Sequence, residues 1–425
     1  FCLICVIKFV QVIYCNLPNI MKQLTDHITF RHGATINNRL VQAPMLTNSG
    51  DNEAVSQDTL DYYGARSQSA GMVIVEYTSV RKNGGPSRSW ADNREQLAIY
   101  DDRFKPGMAK VAKALKKDGN KAILQLVHSG REANYAPKLG RIVEIPSQMD
   151  FPWIDYPLHE LTSEEVEQVV KDFGAATKRA IDCGFDGVEI HGANHYLIQQ
   201  FFSAFSNHRT DKWGGSLEKR MNFPLAVVKE VMDVVKQYAP KDFIVGYRIS
   251  PEEIHQTVGY TWHGSTQLIK AITDNFDLDY IHLSLPQYNA KPQDSSSTFA
   301  ELFRPAIGDK VKEIIVGNVM SEKDAQDALK LTDLVAMARA TLIDPAIGLK
   351  IEEGRGDEII RKISPEQVKK SHLTPGLINL FSDPQMEPHL PGRETIYSLH
   401  QTGSLNKDVL KNGTSSSFNL DHFEK

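Results

Sequence analysis

The sequence predicts an α/β fold, a single (β/α)8 TIM barrel, and three observations predict it. Eight short runs rich in β-branched residues alternate with helical patterns between residues 40 and 347. Several of these runs are apolar throughout, as in strands buried on both faces of a parallel sheet. No Gly-x-Gly-x-x-Gly follows any of them, which weakens the case for an open dinucleotide-binding sheet. The chain has 425 residues, and a barrel of this type takes about 250 and can exceed ~400 with insertions.

The expected strands are 40–43, 72–76, 121–127, 187–191, 243–249, 280–285, 314–317 and 334–337. The helical stretches between them are 56–68, 103–117, 162–183, 217–238, 264–275, 299–307 and 321–329. The third is the clearest. Thr162 followed by Glu165 forms a capping box, Val166, Val169, Val170, Phe173 and Ala176 recur at helical spacing, and Gly184 stops the helix. Two excursions follow strands 3 and 6. Residues 132–158 carry Pro137, Pro146, Phe151, Pro152, Trp153, Tyr156 and Pro157, and residues 286–298 are polar and Ser-rich. Loops after barrel strands build the active-site face, so both are expected to act as lids.

The expected organisation is a barrel over 21–353, a C-terminal helical extension over 354–401 and a disordered polar tail over 402–425. Residues 1–20 are apolar, but Lys8 and Gln11 interrupt them well short of the roughly 20 residues of a membrane span. They also lack the basic start and small-residue exit of a signal peptide. They are expected to be a non-native or mis-called extension ahead of a true start at Met21. A formal net charge of −5, a pI of about 6.3 and the lack of any dense Lys/Arg block exclude a nucleic-acid surface. Of four cysteines, Cys2, Cys5 and Cys15 precede the barrel and only Cys183 lies in it. That usage suits a reducing cytoplasm, and Cys2-x-x-Cys5 has no second Cys/His pair to complete a metal site.

In such a barrel, polar residues at the C-terminal ends of strands face the active site. Those positions hold Pro44 and Met45, Glu76 and Tyr77, Gln125 with His128 and Arg131, His191, Asn194 and Tyr196, Arg248, Gly317 and Asn318, and Arg339. His191 and Asn194 both offer donors, suited to a carbonyl oxygen on which negative charge develops. Tyr196 offers a weakly acidic proton for a carbanion-like centre beside that carbonyl. A lone His-x-x-Asn more often just satisfies loop backbone groups; here the surrounding pattern decides.

That pattern is NRLVQAPM (38–45), GMVIVE (71–76), ILQLVHSGR (123–131), HGANHYLIQQFFSAFSNHRTDKWGGSLEKR (191–220), GYRIS (246–250), VGN (316–318) and ARATLIDP (338–345). It resembles the Old Yellow Enzyme family over roughly residues 21–349, and SNHRTDKWGGS alone is too specific for chance. The resemblance implies a barrel with non-covalent FMN and with NADH or NADPH as reductant. It implies as substrates small molecules in which an alkene is conjugated to a carbonyl or nitro group. By motif position, Gln125 would bond the pyrimidine edge of the flavin and Arg248 its N1/O2 side. Gly317, Asn318, Ala338 and Arg339 would cradle the phosphate, and Pro44, Met45 and Tyr77 would line the ring. His191 and Asn194 would hold the activating oxygen and Tyr196 would protonate the α carbon. An NAD(P)H oxidase or quinone reductase, and a barrel that binds flavin without turnover, are the alternatives. No membrane association is expected, and a homo-oligomer is compatible.

The chain also departs from the family pattern. Leu46 and Thr47 follow Pro44-Met45 where Cys or Thr is common. Tyr77 stands where Gly or Ala is usual, Ala338 and His195 stand where Gly is usual, and Trp213 replaces a Tyr. Tyr77 must therefore point away or reshape the flavin edge, and His195 is expected to face solvent. No cysteine follows Cys183, which separates the chain from relatives carrying an iron–sulfur cluster.

Overall fold

The computed structural model describes residues 22–91, 93–383 and 386–396. The expectations for residues 1–20, for a start at Met21 and for the tail from 402 lie outside the described residues. The eight barrel strands are β1 (Leu40–Gln42), β2 (Met72–Ser79), β3 (Lys121–Val127), β4 (Gly187–Gly192), β5 (Ile244–Ile249), β6 (Tyr280–Ser284), β7 (Lys312–Val316) and β8 (Leu334–Met337). They pair in parallel in chain order, and β8 pairs β1 to close the ring. Helices α1 (Gln57–Gly64), α2 (Lys105–Leu115), α3 (Ser163–Asp182), α4 (Asn222–Tyr238), α5 (Trp262–Asn275), α6 (Phe299–Ile307) and α7 (Glu322–Leu329) follow β1 to β7 in turn.

Each strand is buried on both faces, which is why its sequence runs apolar instead of alternating. Outward residues such as Val73, Leu124, Val188 and Val245 join the inner faces of the helices in the larger core. Val41, Met72, Ile74, Ile123, Ile244, Ile314 and Leu334 form a second core with Ile28, Phe30 and Ile36 of a short hairpin (Ile28–Thr29 with Thr35–Ile36). That apolar plug leaves the polar interior residues to the other end of the barrel.

Helix ends follow the local chemistry. Thr162 and Glu165 close the expected capping box on α3, and Gly184 sits at φ +78° just beyond its end. The expected helix 217–238 is instead two, Leu217–Arg220 and α4. Pro224 has no N–H for the carbonyl of residue 220, so it belongs in a first turn and not in a helix interior. In the first excursion Val143–Ile145 pairs in parallel with Leu158–Glu160. The second meets the end of β7, where Tyr288 N donates to Gly317 O at 2.9 Å.

Past the barrel, helices Pro365–Lys370 and Pro375–Ser382 pack back on the same chain. Arg66 Nη1 donates to Tyr62 O and to Ser371 O, and Thr374 Oγ1 donates to Thr47 O at 2.6 Å. Leu377, Ile378 and Phe381 are buried there. Among the described residues, no helix is long and apolar enough to cross a membrane.

Candidate active site

Four neighbouring strands bring the interior polar side chains into one layer. Gln125 lies beside Glu189, His191 beside Arg248, and Arg248 beside His282 in the registers of β3 to β6. Glu189 accepts from Gln125 Nε2 at 2.6 Å and pairs with His282 Nδ1 at 2.8 Å, all three fully buried. Burial alone would raise the Glu189 carboxyl. His282, then Arg248 and Gln125, outweigh it and hold the group below its ordinary range. Arg248 forms no interior salt bridge; its Nη2 donates to Ser284 Oγ at 3.0 Å. Gln125 Oε1 and Arg248 Nε are buried without a hydrogen-bond partner.

The loop after β4 presents the predicted trio together. His191 is buried, and burial, with Arg248 and His282 nearby, pushes its imidazole well below its ordinary value, so the ring is neutral. Its Nδ1 accepts from Ala193 N at 3.3 Å, which leaves Nε2–H as the donor. Ser284 Oγ donates to Asn194 Oδ1 at 3.0 Å, so the amide presents its NH2 group. Asn194 and His195 are both left-handed, at φ +56° and +62°. That is the conformation glycine adopts at no cost, and asparagine tolerates it better than most. His195 does not face solvent. It packs beside the buried Glu253 at 3.6 Å, within a bond network that includes Gln199.

Tyr196 is 3% exposed, and its ring lies 4.9 Å from that of His191. Tyr77 does not point away. Between Val75 and Thr78 the register of β2 on β3 shifts, so Glu76 and Tyr77 together oppose the single residue Gln125. Such a bulge re-aims side chains beside active sites. Glu76 turns outward to α1 and Tyr77 turns to the site, its ring 5.0 Å from Tyr196 and 6.0 Å from His191.

The ends of β7, β8 and β1 form the other side. Arg339 Nη2 donates to Asn318 Oδ1 at 2.5 Å and Nη1 to His389 O at 2.6 Å; Asp344 pairs with Lys350 instead. Ala338 has φ −106°, so alanine is accommodated where glycine is usual. A Cβ on Gly317 would lie 2.5 Å from Gln287 C, so glycine there admits the second excursion. Pro44, Met45 and Leu46 leave β1, and Thr47 is committed elsewhere. Its hydroxyl donates to Glu76 Oε1 at 2.5 Å and its N–H to Glu76 Oε2. Neither Leu46 nor Thr47 therefore offers a side-chain donor to a ring at the mouth. Burial raises the Glu76 carboxyl to about 7 against the bonds from Thr47 and Tyr63.

The profile of the NADH:flavin oxidoreductase / NADH oxidase family matches residues 24–358. The chain belongs to that family. Its relatives include a probable NADH-dependent flavin oxidoreductase, YqiG, of Bacillus subtilis (strain 168). That protein is 43% identical over 361 residues, covering 83% of this chain and 94% of the relative. An NADH:acrylate oxidoreductase of Vibrio harveyi is 40% identical over 336 residues, but the match spans only 32% of that protein and 76% of this one. Among solved structures, morphinone reductase in complex with tetrahydroNAD aligns with a TM-score of 0.67 at 26% identity, covering 81% of this chain and 93% of that one.

As a flavin oxidoreductase of this family, the protein uses FMN, with NADH or NADPH as reductant. The residues present fit that cofactor. Gln125 Oε1 is an unpartnered acceptor and Arg248 Nε an unpartnered cationic donor, both buried in one layer. A flavin's pyrimidine edge carries an N–H donor and an electron-rich N1/O2 side. Strand-end reading located Gln125, His191, Asn194, Tyr196 and Arg248. It passed over Ser284, which ends β6 and which the same rule reaches, and over Glu189 and His282, which lie inside strands.

Proposed function

We propose that this oxidoreductase reduces the C=C bond of an alkene conjugated to a carbonyl or nitro group. FMN, when bound, supplies the hydride that NADH or NADPH has delivered to it. Gln125 and Arg248 would hold the flavin ring with the main chain at Pro44, Met45 and Tyr77. The backbone at Gly317, Asn318 and Ala338, with Arg339, would hold its phosphate. His191 Nε2–H and the Asn194 amide bind the substrate's oxygen and stabilise the charge that gathers there as the β carbon is reduced. Tyr196 donates its proton to the α carbon.

One observation carries this reading. Two neutral donors, each oriented by a bond on its other side, stand beside a buried phenol. A flavin oxidase needs no such phenol. Anaerobic stopped-flow with NADH and then cyclohexenone, against re-oxidation by oxygen, tests it. Tyr196→Phe is expected to slow enone-driven re-oxidation about 100-fold, the lower range of general-acid contributions, while oxygen-driven re-oxidation persists. Enone re-oxidation at the wild-type rate would overturn the proton-donor assignment.

A further inference from the structure

We propose that Tyr77 is a proton-relay residue for Tyr196: as Tyr196 gives its proton to the substrate, Tyr77 gives its own to Tyr196 and draws a replacement through Ser87 from solvent. The inference rests on the reading of Tyr196 as proton donor.

The β2 bulge aims Tyr77 at Tyr196, and the two phenol groups hydrogen-bond each other with ring centroids 5.0 Å apart. On its far side the Tyr77 hydroxyl meets Ser87 Oγ at 3.3 Å. Tyr196 is closed off from water, whereas Tyr77 is only partly buried. Burial, then Tyr77, pushes the Tyr196 phenol well above its ordinary value. A bare phenolate left there after protonation of the substrate would be costly. Burial raises Tyr77 too, but Arg88, Ser87 and Tyr196 all pull it back. The other ionisable groups that act on the pair are Glu76 on Tyr77 and Glu132 on Tyr196, with the neutral His191 ring beside both. Negative charge therefore settles more easily on Tyr77, and moving both protons together avoids an isolated phenolate on Tyr196. The step is balanced: the α carbon gains one proton, Tyr196 and Tyr77 each lose one and regain one, and solvent supplies the net proton.

Tyr77→Phe keeps the ring and its packing and removes only the relay; retained FMN absorbance confirms the fold. The measurement is the ratio of enone-driven to oxygen-driven re-oxidation of the reduced holoenzyme, in mixtures of H2O and D2O. In wild type the enone rate is expected to fall along a curve with deuterium fraction, as two protons in motion require. In Tyr77→Phe the ratio drops about tenfold and the dependence becomes linear. An unchanged ratio, or the same dependence in both proteins, overturns the relay. Tyr196→Phe separates the two levels. If it re-oxidises with enone like wild type, the donor reading fails and the relay with it. If it is slow while Tyr77→Phe behaves as wild type, only the relay fails.

Discussion

Ser284 stands between Arg248 and Asn194, accepting from one and donating to the other. An amide can turn either face to a ligand, and this hydroxyl leaves the nitrogen outward. Ser284→Ala removes one neutral hydrogen bond, worth about 1 kcal/mol, a factor of about 5 in affinity. KM for an enone is expected to rise by about that factor with kcat within twofold; a KM equal to wild type would show that Asn194 orients itself. His191 follows the same logic, since the backbone of Ala193 selects its tautomer. Gln125 is a third case, because its bond to Glu189 commits the amide nitrogen and leaves Oε1 for the cofactor.

Two elements position these atoms. The bulge in β2 sends Glu76 to Thr47 and Tyr63 and sends Tyr77 to the site, so one irregularity both occupies Thr47 and places a second phenol. The lid after β6 rests on Gly317. A methyl group there would meet backbone at Gln287 and Tyr288, which cannot rotate away. Gly317→Ala is expected to cost about 1–3 kcal/mol, as overpacking does, and to weaken FMN binding. Calorimetry and titration of apoprotein with FMN check this. Wild-type values for both would mean that the lid yields freely.

Across the whole molecule, buried carboxyls set the response to pH. Burial raises Glu76 and Glu95 to about 7 and Glu313 to about 8. A carboxyl raised in the folded state binds more protons than in the unfolded chain, so stability falls as pH climbs from about 4.5 through these values. Glu144 behaves in the opposite way. His128 and Arg81 outweigh its burial and lower it to about 2, so its contribution is present above the unfolded value and lost in acid. Burial also lowers His191 and His282, and that costs stability as pH falls below about 6.5. Thermal stability of the holoenzyme is therefore expected to peak between about pH 4.5 and 6.5 and to decline from 6.5 to 8. A melting temperature flat or rising over that last interval would contradict the assignment.

The sequence by itself determined the barrel, because strands buried on both faces must be apolar, and helix caps are local bonds between residues three apart. It also determined most of the polar residues at the mouth, since the ends of parallel strands converge there whatever the loops do. Only the tertiary structure decided the rest. The direction of Tyr77 depends on a register shift between two strands 45 or more residues apart in the chain. The commitment of Thr47 depends on Glu76, and the seating of His195 depends on Glu253. Which atom each donor presents depends on bonds such as Ser284 to Asn194, between residues 90 apart. These are properties of pairs that chain spacing does not bring together, and they arise only when the closed ring fixes which strand ends are neighbours.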